Sequence, residues 1–196
     1  RIESNSAQRG GGIHVALLSE LQVADTSVSA NKAVEVGGGL FIGGLLRASL
    51  TNVSFRANAA LAGGGLIIDG VPERVVRLAS VDFTDNRART RGAALAVDGM
   101  STVEAVDLQF VTNEVVSGSG TVTVSSGSML SFAGTATACS TVSVITDWTD
   151  TFAHCSSALQ TGFDTCAGYK RSCAFQERVF RHRCQGCVCD DDQFET

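Results

Sequence analysis

Phe55-Arg56-Ala57-Asn58-Ala59-Ala60-Leu61-Ala62-Gly63-Gly64-Gly65-Leu66-Ile67-Ile68-Asp69-Gly70 is the best copy of a unit that recurs on both sides of it. Asparagines fall at Asn5, Asn31, Asn58, Asn86 and Asn113, with gaps of 26, 27, 28 and 27 residues, and two residues further on stand Ala7, Ala33, Ala60, Ala88 and Val115. After each Asn comes a cluster of small residues: Gly10-Gly11-Gly12, Gly37-Gly38-Gly39, Gly63-Gly64-Gly65, Gly92-Ala93-Ala94 and Gly118-Ser119-Gly120. In four copies an apolar residue follows directly, at Ile13, Leu40, Leu66 and Leu95.

Upstream of each Asn the apolar positions also repeat. Three residues before it stand Val28, Phe55, Phe83 and Phe110; five before, Thr26, Val53, Val81 and Leu108; eight before, Val23, Leu50, Leu78 and Ala105. A fixed period in this range marks a solenoid or array, because one unit cannot bury its apolar face and stacked neighbours can. The apolar runs are short, alternating, rich in β-branched and aromatic residues, and broken by Gly, Asn or Asp, which disfavours helical repeats. About 27 residues supply three short strands and three turns, so each copy is expected to form one coil of a parallel β-helix, with coils about 4.8 Å apart.

The motif residues have physical roles in such a rod. An Asn at a fixed turn tolerates a left-handed backbone and can bond to the Asn one coil away, giving a ladder of Asn5, Asn31, Asn58, Asn86 and Asn113. Phe55, Phe83 and Phe110 are expected to stack inside, each contributing about 1.5 to 3 kcal/mol by burial. The glycines let the chain turn where neighbouring backbones approach closely.

At these residues the chain resembles the repeats of the polymorphic outer membrane protein family, with paired signatures F-x-x-N and G-G-A-[ILV]. The first is intact as Phe55-Arg56-Ala57-Asn58, Phe83-Thr84-Asp85-Asn86 and Phe110-Val111-Thr112-Asn113, and the second is present in variant form as Gly64-Gly65-Leu66 and its counterparts. The resemblance covers roughly residues 1 to 125. Departures are the Gly at the third position of the second signature and Val28 in place of Phe. The resemblance implies a right-handed parallel β-helix displayed on a surface, and similar repeats occur in large extracellular proteins of unicellular eukaryotes. It carries fold and display rather than chemistry.

The 196 residues, 44% hydrophobic and 18% charged, suit one elongated domain with a small appendage. A net charge of -5 argues against a general nucleic-acid partner. No apolar stretch is long enough to cross a membrane as a helix. The chain begins inside a coil, and because natural solenoids cover their edges, the intact protein is expected to continue before Arg1. The period fades after Ser125, although Met129-Leu130-Ser131-Phe132 and Val142-Ser143-Val144-Ile145 still read as strands of closing coils. All seven cysteines, Cys139, Cys155, Cys166, Cys173, Cys184, Cys187 and Cys189, lie in the last part of the chain. Residues 1–138 are therefore assigned to the β-helix and 139–196 to a Cys-rich cap or the start of a following module.

Those cysteines are expected to form disulfides, which staple a small region without a large core at about 2 to 4 kcal/mol per bridge. An odd number leaves one thiol free or paired outside the segment. The rival is zinc held by Cys184, Cys187 and Cys189 with His182 or His154, which a lone C-x-x-C supports weakly.

Asp69-Gly70 and Asp98-Gly99 share a register, which would set two carboxylates about 5 Å apart on the rod. Paired acids cleave glycosidic bonds, and polygalacturonases and pectate lyases share the β-helix fold. Asp-Gly is also a common turn dipeptide. Arg87, Arg89 and Arg91, beside Arg74 and Arg77, are candidates for an anionic polysaccharide or for a solvated face that resists edge pairing. Asn52-Val53-Ser54 is the one glycosylation sequon, with Asn52 expected to point outward. His14 has no Ser, Cys or Asp constellation around it and is expected on the surface.

These features point to a non-enzymatic extracellular or cell-surface module, part of a larger protein, that presents a rigid surface for adhesion, assembly or a filament. Its expected partners are other protein chains, further segments of the same protein, or surface glycans. No cofactor or metal is expected, nor a membrane contact from this segment. The alternative is a carbohydrate-active β-helix enzyme.

Overall fold

A computed structural model of the chain describes residues 1–16, 20–44, 47–71, 75–118, 120–125, 127–133, 144–146 and 152–155. Among these the protein is all-β, and its strands lie in three parallel sheets. The first sheet runs β1 (Ile2–Glu3), β4 (Glu20–Ser29), β7 (Arg47–Arg56), β10 (Val75–Thr84), β13 (Thr102–Val111), β16 (Met129–Ala133), β18 (Phe152–Cys155). The second runs β2 (Ser6–Arg9), β5 (Lys32–Val36), β8 (Ala59–Ala62), β11 (Arg87–Arg91), β14 (Glu114–Val115). The third runs β3 (Ile13–Ala16), β6 (Leu40–Gly43), β9 (Leu66–Asp69), β12 (Leu95–Asp98), β15 (Val122–Val124), β17 (Val144–Thr146).

The chain visits the three sheets in turn and returns one strand further along. Thr26 pairs with Val53, Val53 with Val81, and Val81 with Leu108, each step being one sequence repeat. This is a parallel β-solenoid of roughly 27 residues per coil, as the spacing predicts. Pairing extends past residue 138, since β17 lies on β15 and β18 on β16. Of the cysteines, only Cys155 falls among the described residues, in register with Phe132. The expected disulfides and the zinc alternative lie outside them.

The core follows from which residues face inward. Ala48, Leu50, Val53 and Phe55 of β7 are buried, as are Val76, Leu78, Val81 and Phe83 of β10. The alternation skips a residue between Leu50 and Val53 because Asn52 has φ 54° and bends the strand. Asp25, Ser80 and Asp107 do the same at φ 49°, 54° and 54° in the neighbouring long strands. From the third sheet, Leu40 and Ile42, Leu66 and Ile68, and Leu95 and Val97 complete one continuous core. Each of these large side chains is worth about 1.5 to 3 kcal/mol when fully buried.

Candidate functional site

The motif asparagines form one hydrogen-bonded column along the rod. Asn58 shows the pattern in full. Its Nδ2 donates to Asn86 Oδ1 at 3.0 Å and to the Val28 carbonyl at 2.9 Å. Its Oδ1 accepts the Asn31 backbone N–H at 3.0 Å and Asn31 Nδ2 at 3.1 Å. Asn86 repeats this toward Asn113 and the Phe55 carbonyl, and Asn5 donates to Asn31. An amide offers two donors and two acceptor sites, and at Asn58 all four are used, which is how a polar side chain can be fully buried.

One expectation about this corner is corrected. The asparagines do not themselves adopt the left-handed conformation. The preceding residue does, with φ 57° at Ser4, 55° at Ala30, 52° at Ala57, 56° at Asp85 and 52° at Thr112. The left-handed residue swings the chain around the corner, and the Asn following it turns its amide inward to bond the coils on both sides.

Beside the column, Phe55 and Phe83 stack with centroids 5.2 Å apart and an interplanar angle of 9°, and Phe83 and Phe110 at 5.3 Å and 7°. The spacing matches the separation of adjacent strands, so the rings follow the coils. The glycine corner works by subtraction. Gly37, Gly63 and Gly92 take positive φ, while a Cβ on Gly64 would lie 2.5 Å from the Ala93 carbonyl oxygen and one on Gly65 would lie 2.9 Å from the Phe83 ring.

Two features had no strong sequence signal. Ser101 and Ser128, both fully buried, form a second short column: Ser101 Oγ accepts the Val71 N–H, Ser128 Oγ accepts the Ser101 N–H, and Ser101 Oγ donates to the Asp98 carbonyl. Phe41, Ile67 and Ala96 alternate with the core residues of the third sheet yet are also buried, forming a small apolar cluster with Val36 outside the main core. An all-apolar run such as Leu66-Ile67-Ile68 is the only trace of burial on both faces.

Asp69 and Asp98 do pair in register across β9 and β12. They are nevertheless unlike, which corrects the expected surface pair. Asp98 is 7% exposed, and Arg91 Nη1 donates to both of its carboxylate oxygens at 2.6 and 2.7 Å. Asp69 is exposed, and its carboxylate has no hydrogen-bond partner among the described residues.

The arginines are largely engaged. Arg87 pairs with Glu114 at 2.6 Å, Arg77 with Glu104 at 3.3 Å, and Arg91 with Asp98. Arg89 has no ion pair among the described residues, and Arg74 lies outside them. Gln8 and Arg9 bond the Glu35 carboxylate and hold its pKa below the usual value. Asn52 is exposed, and its Nδ2 donates to Asp25 Oδ1 at 2.6 Å. His14 is exposed too, with its ring edge-on to Phe41 at 4.9 Å. Among the described residues no three His, Cys, Asp or Glu side chains group closely enough to hold a metal ion.

Compared with known protein families, with curated proteins and with solved structures, the chain matches none of them.

Proposed function

We propose that this chain is a non-enzymatic structural or adhesion module of an extracellular or cell-surface protein, akin to the polymorphic outer membrane protein repeats in its motifs. The observation that carries the proposal is where its chemistry-bearing residues are spent. The repeated Asn amides bond the coils to one another, the aromatic rings stack in the core, and Asp98 is held by Arg91. What such a rod offers outward is a set of flat parallel faces with regularly spaced side chains, suited to contact with another chain, a further segment of the same protein, or a surface glycan. In this proposal the cysteines are oxidised and Asn52, exposed at a bend, carries a glycan.

Two assays test it. The purified chain is incubated with polygalacturonate and other acidic polysaccharides while new reducing or unsaturated ends are followed, and its binding to glycan-coated and cell-derived surfaces is measured in parallel. The proposal expects binding without new chain ends. Polysaccharide cleavage lost in Asp69→Asn would replace it with the lyase or hydrolase alternative. Intact mass of native-source protein before and after reduction, with glycosidase treatment, tests the oxidised and glycosylated state.

A further inference from the structure

We propose that Asp69-Gly70 is a site of spontaneous aspartate isomerisation, and that Asp98-Gly99, one coil further on in the same register, is protected by the fold. The two dipeptides make an internal comparison. Both end a strand of the third sheet, pair residue to residue, and are followed by a left-handed glycine, with φ 66° at Gly70 and 61° at Gly99.

The chemistry needs a carboxyl group free to turn toward the next amide and a nitrogen free to attack it. The Gly70 nitrogen adds to Asp69 Cγ and loses its proton, the carboxyl hydroxyl leaves as water, and a five-membered succinimide results. Water then opens either carbonyl. Attack on the side-chain carbonyl restores aspartate; attack on the main-chain carbonyl leaves the backbone running through Cγ as isoaspartate. Only water is consumed, after one water has been released, so no oxidant or enzyme is required. Glycine favours the step because no side chain screens the nitrogen.

The two sites differ most at the carboxylate that must turn. The Asp69 carboxylate is exposed and has no partner among the described residues, whereas both oxygens of Asp98 are held by Arg91 at 2.6 and 2.7 Å. The side of Gly70 on which a Cβ would stand is open, with nothing within 4 Å, while its nitrogen faces Gly99 of the next coil. Gly99 is crowded by Asp69 Oδ1 and the Gly70 backbone, where a Cβ would collide. The Gly70 N–H is held only by a long bond to the Asp98 carbonyl, 3.4 Å, beyond the usual range for an amide donor. Isomerisation at Asp69 would add one carbon to the main chain at the end of β9 and loosen the bonds that join Gly44, Gly70 and Asp98 in this corner.

The test holds the full folded chain at physiological temperature and mildly acidic pH for several weeks. Its peptides are then sequenced by electron-transfer fragmentation, which distinguishes aspartate from isoaspartate. Isoaspartate is expected at position 69 at several times its level at position 98. Equal levels, more at 98, or none at 69 would overturn the proposal. The same incubation in denaturant separates fold from local sequence: the two positions should then isomerise at similar rates. A preference for 69 that persists unchanged in denaturant would show that the fold is not its cause and would overturn the proposal as well.

Discussion

The two main corners of each coil turn the same chain by opposite means. At the asparagine corner a buried polar side chain fills the bend and bonds the coils above and below. At the glycine corner the side chain is removed, so that one coil's backbone can rest on the next. A corner built by addition fails when the added group is lost, and one built by subtraction fails when anything is put back. Substitution at the two corners should therefore differ in size and in cause.

The largest effect is expected at the asparagine corner. Asn58→Ala orphans the Asn31 N–H, one Asn31 amide proton, the Val28 carbonyl and an acceptor site on Asn86, and several buried unsatisfied groups at about 1 to 3 kcal/mol each should leave the chain largely unfolded in a urea titration. Phe83→Ala, beside it, opens a cavity and removes both ring stacks, with an expected loss of about 3 to 5 kcal/mol in the same titration. At the glycine corner, Gly64→Ala drives a methyl group against the Ala93 carbonyl and should cost about 1 to 3 kcal/mol. Gly70→Ala meets no atoms and isolates the left-handed strain alone, expected to be about 1 to 2 kcal/mol. The sign should reverse at Ala57, which already carries that strain at φ 52°. Ala57→Gly relieves it at some cost in unfolded-chain entropy, and a net gain of about 0.5 kcal/mol in thermal unfolding would sharpen the distinction.

The repeat was legible because stacking demands like residues at like positions. A column cannot form unless Asn58 and Asn86 fall in the same register, so the column writes its own period into the sequence. The same holds for Phe55 and Phe83, and the sequence spacing therefore carries the solenoid. The bends were not legible in the same way. The left-handed residues before the asparagines are Ser, Ala, Ala, Asp and Thr, chosen by no common side chain, and the bend at Asn52 shows only as a gap of three in the inward-facing pattern.

The candidate site was half legible. That Asp69 and Asp98 share a register follows from counting repeats. That Asp98 is closed by Arg91 does not, because the two residues stand on either side of a corner and meet only once β11 and β12 are folded. The Ser101 and Ser128 column spans only two copies, too few for a period to stand out.

The most direct test of the stacked column is hydrogen exchange at the asparagine side-chain amides, followed by NMR in the folded protein. Asn52 is the internal control, since its amide is exposed and bonded only to Asp25. The account predicts slow exchange of the Nδ2 protons of Asn31, Asn58 and Asn86, approaching that of the core backbone amides, and fast exchange at Asn52. If all four side chains exchange at the same fast rate, the asparagines do not bridge the coils and the column cannot be what holds this solenoid together.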